Sequence, residues 1–172
     1  MSNTKSKARF GGVFYIECFA PDGQLKWKEK ASNLVVNEGL DYILGILLKG
    51  SVASDPWYVG LTSSTPTVAA DDSLTGTHAG WTEVTAYTEG ARQEFVDGAL
   101  SSQSVDNSGS KASFSINADS TTIGGAFLAD ASATGANGTL LCVAAFDGGD
   151  KSADSGDTLE VQYTFSAADD GV

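Results

Sequence analysis

The only histidine of the chain, His78, lies in "VAADDSLTGTHAGWTEV", six residues after the pair Asp71 and Asp72. One imidazole and two carboxylates have the right types for a metal site or for acid–base work. Their setting argues for neither. Zinc sites draw on several His or Cys ligands, and no cysteine is near in sequence. The stretch is dense in turn formers, and Asp-Asp before Ser-Leu equally suits the capping of a helical turn. A Ser-His-Asp triad would have to use the same histidine, and no nucleophile-elbow pattern accompanies it. The expectation is a polar loop.

Other stretches fail the same test of context. "ADSGDT" (residues 153–158) contains the Asp-Ser-Gly of an aspartic-protease loop, in which two carboxylates share a proton. That loop needs a buried apolar strand before it; here it follows the polar "GGDKSA". "SGSK" spells Ser-x-x-Lys at Ser108 and Lys111, within a turn rather than at a helix start. Asp147, Asp150, Asp154 and Asp157 crowd "FDGGDKSADSGD" and form a weak calcium candidate, since calcium tolerates irregular oxygen-rich loops. Their spacing matches no EF-hand, and a solvated acidic loop is favoured. Cys18 and Cys142 lie far apart in apolar runs and fit no metal spacing, so buried free thiols are expected, with a bridge as the alternative. No glycine-rich phosphate loop opens a helix. The sequence therefore predicts no enzyme, no metal and no cofactor.

What must position these residues is a chain of 172 residues, enough for one domain with a full core. Ten basic residues face 22 acidic ones, a net charge of −12. The charge is uneven: residues 1–49 hold seven bases and five acids, the rest three bases and 17 acids. An acidic body repels phosphate, so nucleic-acid binding is not expected. No apolar run approaches the ~20 residues of a membrane span, and the N-terminus has no signal-peptide core.

Residues 1–9 are predicted to form a flexible basic arm with Lys5, Lys7 and Arg9. "FGGVFYIECFAPDGQLKWKEK" reads as a hairpin turned at Pro21-Asp22-Gly23. Its return strand sets Lys26, Lys28 and Lys30 on one face, an edge-guarding row or a cationic strip for an acidic neighbour. The helix falls near 38–49: Leu40, Ile43, Leu44, Leu47 and Leu48 form one stripe, and Asn37 is placed to cap it. Tyr42 and Ile46 make the other face partly apolar as well, a sign of cover by the protein's own sheets or by another chain. The remainder reads as strands: Trp57–Leu61, Glu83–Tyr87, Arg92–Val96, Lys111–Asn117, Thr122–Leu128, Leu140–Phe146 and Thr158–Ser166. The paired glycines of "TTIGGAFLAD" suggest a bulge or close sheet packing. The predicted fold is mainly β: a single-domain antiparallel β-sandwich over 10–168, immunoglobulin-like or jelly-roll, with an N-terminal hairpin, one amphipathic helix and a frayed tail at 169–172.

"NLVVNEGLDYILGILL", "WYVGLTSSTPTVAADDSLTGTHAGWTEVTAYTEGAR", "INADSTTIGGAFL" and "SGDTLEVQYTFSA" together resemble, in order from Asn33 to Ala168, a family of small virion structural proteins of tailed bacteriophages. One departure is Gln93 after Arg92, where similar sequences often carry Pro. The resemblance implies a particle component without enzymatic activity. By its type this would be a head decoration or cement protein on the capsid surface, made in the host cytoplasm. Its partners would be the major capsid protein and further copies of itself, as dimer or trimer, with no nucleic acid and no membrane. Contacts would come from the arm, the lysine strip and the helix, including Tyr42 and Ile46. The alternative is a tail, neck or fibre module, with Trp57, Trp81 and Tyr87 stacking on host-surface glycans.

Overall fold

The hairpin foreseen at the N-terminus forms around an Asx turn. Gly23 takes φ +83°, a conformation side chains resist, and the Gln24 N–H donates to Asp22 Oδ1 at 2.9 Å. Its arms are β1 (Ala8–Phe19) and β2 (Leu25–Ser32), the latter an edge strand. The computed structural model describes residues 7–75 and 81–169. Strand accounts for 44% and helix for 8% of it, which makes the fold mainly β, antiparallel and β-sandwich-like, as the sequence predicts.

The first sheet is built on the pairing of β1 with β12 (Thr158–Asp169), in register from Ala8↔Asp169 to Phe19↔Thr158. β2 flanks β1, while β6 (Ser104–Asp106) and β7 (Ala112–Ser115) lie end to end along the other side of β12. Ala8 and Arg9, expected in a flexible arm over 1–9, are thus strand; Lys5 lies outside the described residues. The tail expected at 169–172 likewise gives Asp169 to the sheet.

The second sheet runs β3 (Leu34–Val35), β10 (Leu140–Ala145), β9 (Gly125–Ala129), β4 (Tyr58–Thr62), β5 (Gln93–Glu94). A small sheet pairs β8 (Thr121–Ile123) with β11 (Lys151–Ala153). The expected strand Thr122–Leu128 is therefore two strands in different sheets. The break falls at Gly124, where a methyl group would lie 1.8 Å from the Ser64 carbonyl carbon. Close backbone approach is what the glycine pair supplies. The expected strand Glu83–Tyr87 makes only single bridges, Thr62↔Glu83 and Tyr87↔Ile116.

The two sheets share the main core: Phe14, Ile16, Leu159, Val161 and Tyr163 from the first meet Val59, Leu61, Leu128 and Ala144 from the second. The second sheet is buried on its outer side too. Phe127, Ala129, Leu140 and Val143 pack there against Val68, Leu74 and Trp81. Burial on both faces explains the unbroken apolar runs of β9 and β10. The loop around Asp71 and Asp72 is therefore the lid of a second core as well as a turn-rich connection.

Helix α1 (Asn37–Lys49) ends where expected, with Gly50 left-handed at φ +69°. Asn37 does not cap it. Val36 is the N-cap residue and makes no side-chain cap bond, while the Asn37 N–H donates to the Ala70 carbonyl at 2.7 Å.

Candidate functional site

The lysine row of β2 divides in the structure. Lys26 does not face a partner. Its ammonium lies 2.5 Å from Asp157 Oδ2 and 3.0 Å from Asp154 Oδ2. Asp157 is buried, and its Oδ2 also accepts the Asp154 N–H at 2.8 Å and the Cys18 thiol at 3.8 Å. These bonds pin the 154–157 turn to the hairpin. The hydrogen bond to Asp157, then that to Asp154, holds Lys26 above the ordinary lysine value. The Ser120 N–H, then Lys26, holds Asp154 below the ordinary carboxylate range.

Lys28 and Lys30 remain exposed on the edge strand. Lys30 stands 5.5 Å from the centre of the Tyr15 ring, which is 40% exposed. With Glu17, Glu29 and Asp147 they line an open groove of about 510 Å³ on this face. Lys7 and Arg9 are exposed near the start of β1.

The four calcium candidates do not converge. Asp150 Oδ1 accepts the Thr65 N–H at 2.6 Å and hydroxyl at 2.7 Å. Asp154 and Asp157 already hold an ammonium, and Asp147 is exposed on the groove. Among the described residues no group of three or more His, Cys, Asp or Glu is placed to hold a metal. His78 lies outside the described residues. Asp71 is exposed; Asp72 is buried and closes a local turn by accepting the Ala69 N–H at 3.0 Å. Of the Ser-x-x-Lys pair, Lys111 sits between Glu17 at 2.8 Å and Glu160 at 3.2 Å. Both cysteines are buried and free, as expected from sequence.

The helix faces differ from those expected for the candidate contacts. Tyr42 and Ile46, offered as outward contacts, are half-buried on the side toward the body. The Tyr42 ring meets Trp57 edge-on at 5.0 Å, and its hydroxyl accepts the Ser54 N–H. Gly39 is the buried pivot: a methyl there would lie 2.3 Å from the Leu141 carbonyl oxygen. The leucines point outward. Leu40 is 37% exposed, Leu44 50%, Leu47 68% and Leu48 79%. The predicted stripe divides: Ile43 packs inward against the core and its four leucines face out, because both faces of this helix are apolar.

The aromatics offered for glycan stacking are mostly interior. Trp81 and Tyr87 are buried against Phe127 and Phe114, and Trp57 is half-buried under the helix.

Sequence reasoning missed Arg92. Its guanidinium is fully buried and all five donors are used: two on Glu83 at 2.8 and 3.0 Å, three on the carbonyls of Ala131, Gly135 and Asn137 at 2.8–3.0 Å. The available signal was scarcity. Arg92, Lys111 and Lys151 are the only bases after residue 50, and each forms an ion pair within the fold.

Comparison with known protein families, curated proteins and solved structures finds no match to this chain.

Proposed function

We propose that this protein is a structural component of a bacteriophage particle, seated on the outer lattice of the head as a decoration or cement protein. It acts by contact, without turning over a substrate. The observation that carries this reading is the outward leucine face of α1, where Leu44, Leu47 and Leu48 are 50–79% exposed. Surface of that kind is built to be covered. The ordered resemblance of four sequence stretches to phage virion proteins supplies the setting. Arg9, Lys28 and Lys30 are exposed cations suited to the acidic surface of a capsid protein. Many copies on a lattice would reinforce a contact that is weak in any one of them.

The test is an averaged image of intact particles in which the chain is located, together with occupancy of purified heads by the Lys28→Glu, Lys30→Glu variant. Density on the shell, and lower occupancy by a variant that melts like the parent, are expected. Density confined to the tail, or unchanged occupancy, overturns the placement or the strip.

A second reading, a tail or fibre module contacting host glycans, keeps one exposed ring, Tyr15, beside the polar groove. Glycan-array binding that disappears in Tyr15→Ala would favour it.

A further inference from the structure

We propose that the cleft between α1 and the first sheet is a binding site for a small uncharged molecule carrying one apolar ring. Such a site lies outside the virion reading and stands or falls separately from it.

The two sheets do not close on each other along this seam. A cavity of about 200 Å³ remains, open to solvent. Its floor belongs to the core: Phe95, Leu128 and Leu141 are buried. The residues around its mouth are half-buried. Tyr42 of α1 and Trp57, just before β4, meet edge-on at 5.0 Å; Val105 of β6 and Phe165 of β12 come from the first sheet.

A chain of polar bonds props this space open. The Tyr42 hydroxyl accepts the Ser54 N–H, and the Ser54 hydroxyl donates to Asp130 Oδ2 at 3.0 Å. Asp130 Oδ1 in turn accepts the Thr139 N–H at 2.6 Å, between β9 and β10. Gly39 fixes the start of the helix against the Leu141 backbone. Moving Tyr42 inward to fill the cavity would break these bonds, so the cavity is formed before any ligand arrives.

The lining selects the ligand. No charged side chain reaches the cavity, and the Tyr42 hydroxyl is already engaged. An ion would be desolvated without a partner, and a water needs two to four polar partners that this lining does not offer. Tyr42, Trp57, Phe95 and Phe165 present ring edges and faces to another ring. An apolar cavity of about 150 Å³ is enough to bind benzene, so the space here fits a single substituted ring, while a sterol exceeds it.

Toluene is the probe. In an NMR titration of the full chain, the amide signals of Ile43, Val105 and Phe165 are expected to shift saturably, and the melting temperature to rise with toluene concentration. Benzoate, the same ring with a charge, is expected to do neither. Val105→Phe places a ring of the protein's own in the cavity and should weaken toluene binding roughly tenfold or more; should that variant not fold, Ile43→Phe makes the same test from the helix side. In a toluene-soaked crystal, density for the ring is expected between Trp57 and Phe165. No saturable shift up to the solubility limit of toluene, or density only elsewhere, overturns the site. Benzoate binding as tightly as toluene overturns the ligand class, and a folded Val105→Phe protein with the parent's affinity overturns the location.

Discussion

At the scale of residues, the firmest assignment is Arg92. Removing its guanidinium strands the Glu83 carboxylate, whose side chain is 7% exposed, and leaves three carbonyls without their donor. Breaking a buried pair on one side costs about 3–5 kcal/mol. Arg92→Ala is therefore expected to lower the unfolding free energy by that much, read as a fall in the denaturant midpoint. Arg92→Lys should lose most of it too, because an ammonium cannot fork to Glu83 and still reach three carbonyls. Urea unfolding of the two variants checks both. The thiols give a second prediction. Burial pushes the Cys18 thiol up to about 12 and the Cys142 thiol up to about 11. The reactive species is the thiolate. At pH 8 the folded protein should leave an aromatic disulfide reagent unreacted, whereas the unfolded chain should titrate both cysteines. Reaction of the native protein at the unfolded rate would contradict the burial. Both groups have raised folded values, so they favour the fold fully below pH 9.0, the ordinary thiol value, and this contribution is lost as pH rises through about 11 and 12. Arg92 was not legible in sequence because its five partners come from Glu83 and a loop some 40 residues away, which no local pattern connects.

At the scale of elements, what the sequence made legible was whatever depends on local chemistry. The Asx turn at Asp22-Gly23, the helix end at Gly50 and the alternation of β12 were all readable, because each is decided by residues within a few positions. What depends on distant chain was not. The direction of α1 is set by Leu141 and Trp57, and the split of one expected strand into β8 and β9 by the Ser64 backbone. The row of three lysines was legible as a row, but Asp154 and Asp157, some 130 residues away, remove Lys26 from it. That clamp makes a pH prediction. Lys26 has a raised value, so its contribution is complete below the ordinary 10.5 and is lost as pH rises through the folded value. Asp154 has a lowered value, so its contribution is present above the ordinary 3.8 and is lost as pH falls through the folded one. The gap in melting temperature between parent and Lys26→Met should be widest across the range between and should shrink as pH falls below 3.8. A gap that is the same at pH 2 and pH 7 would mean that the Lys26 ion pairs are not what the substitution removes from stability.

At the scale of the whole molecule, a small group of exposed cations sits on an acidic body. The net charge is −12, yet Lys28 and Lys30 stand exposed on the edge strand β2. Under the proposed function they would be drawn to an acidic capsid surface, and the leucine face of α1 would add an apolar contact. Salt separates the two. The Debye length falls from about 10 Å at 0.1 M to about 3 Å at 1 M, so an attraction carried by the lysines weakens over that range while an apolar contact does not. Occupancy of purified heads, measured along a sodium chloride series, should therefore fall from low to molar salt. If it holds or rises instead, apolar contacts hold the protein to the particle and the lysine strip serves only to guard the edge of β2.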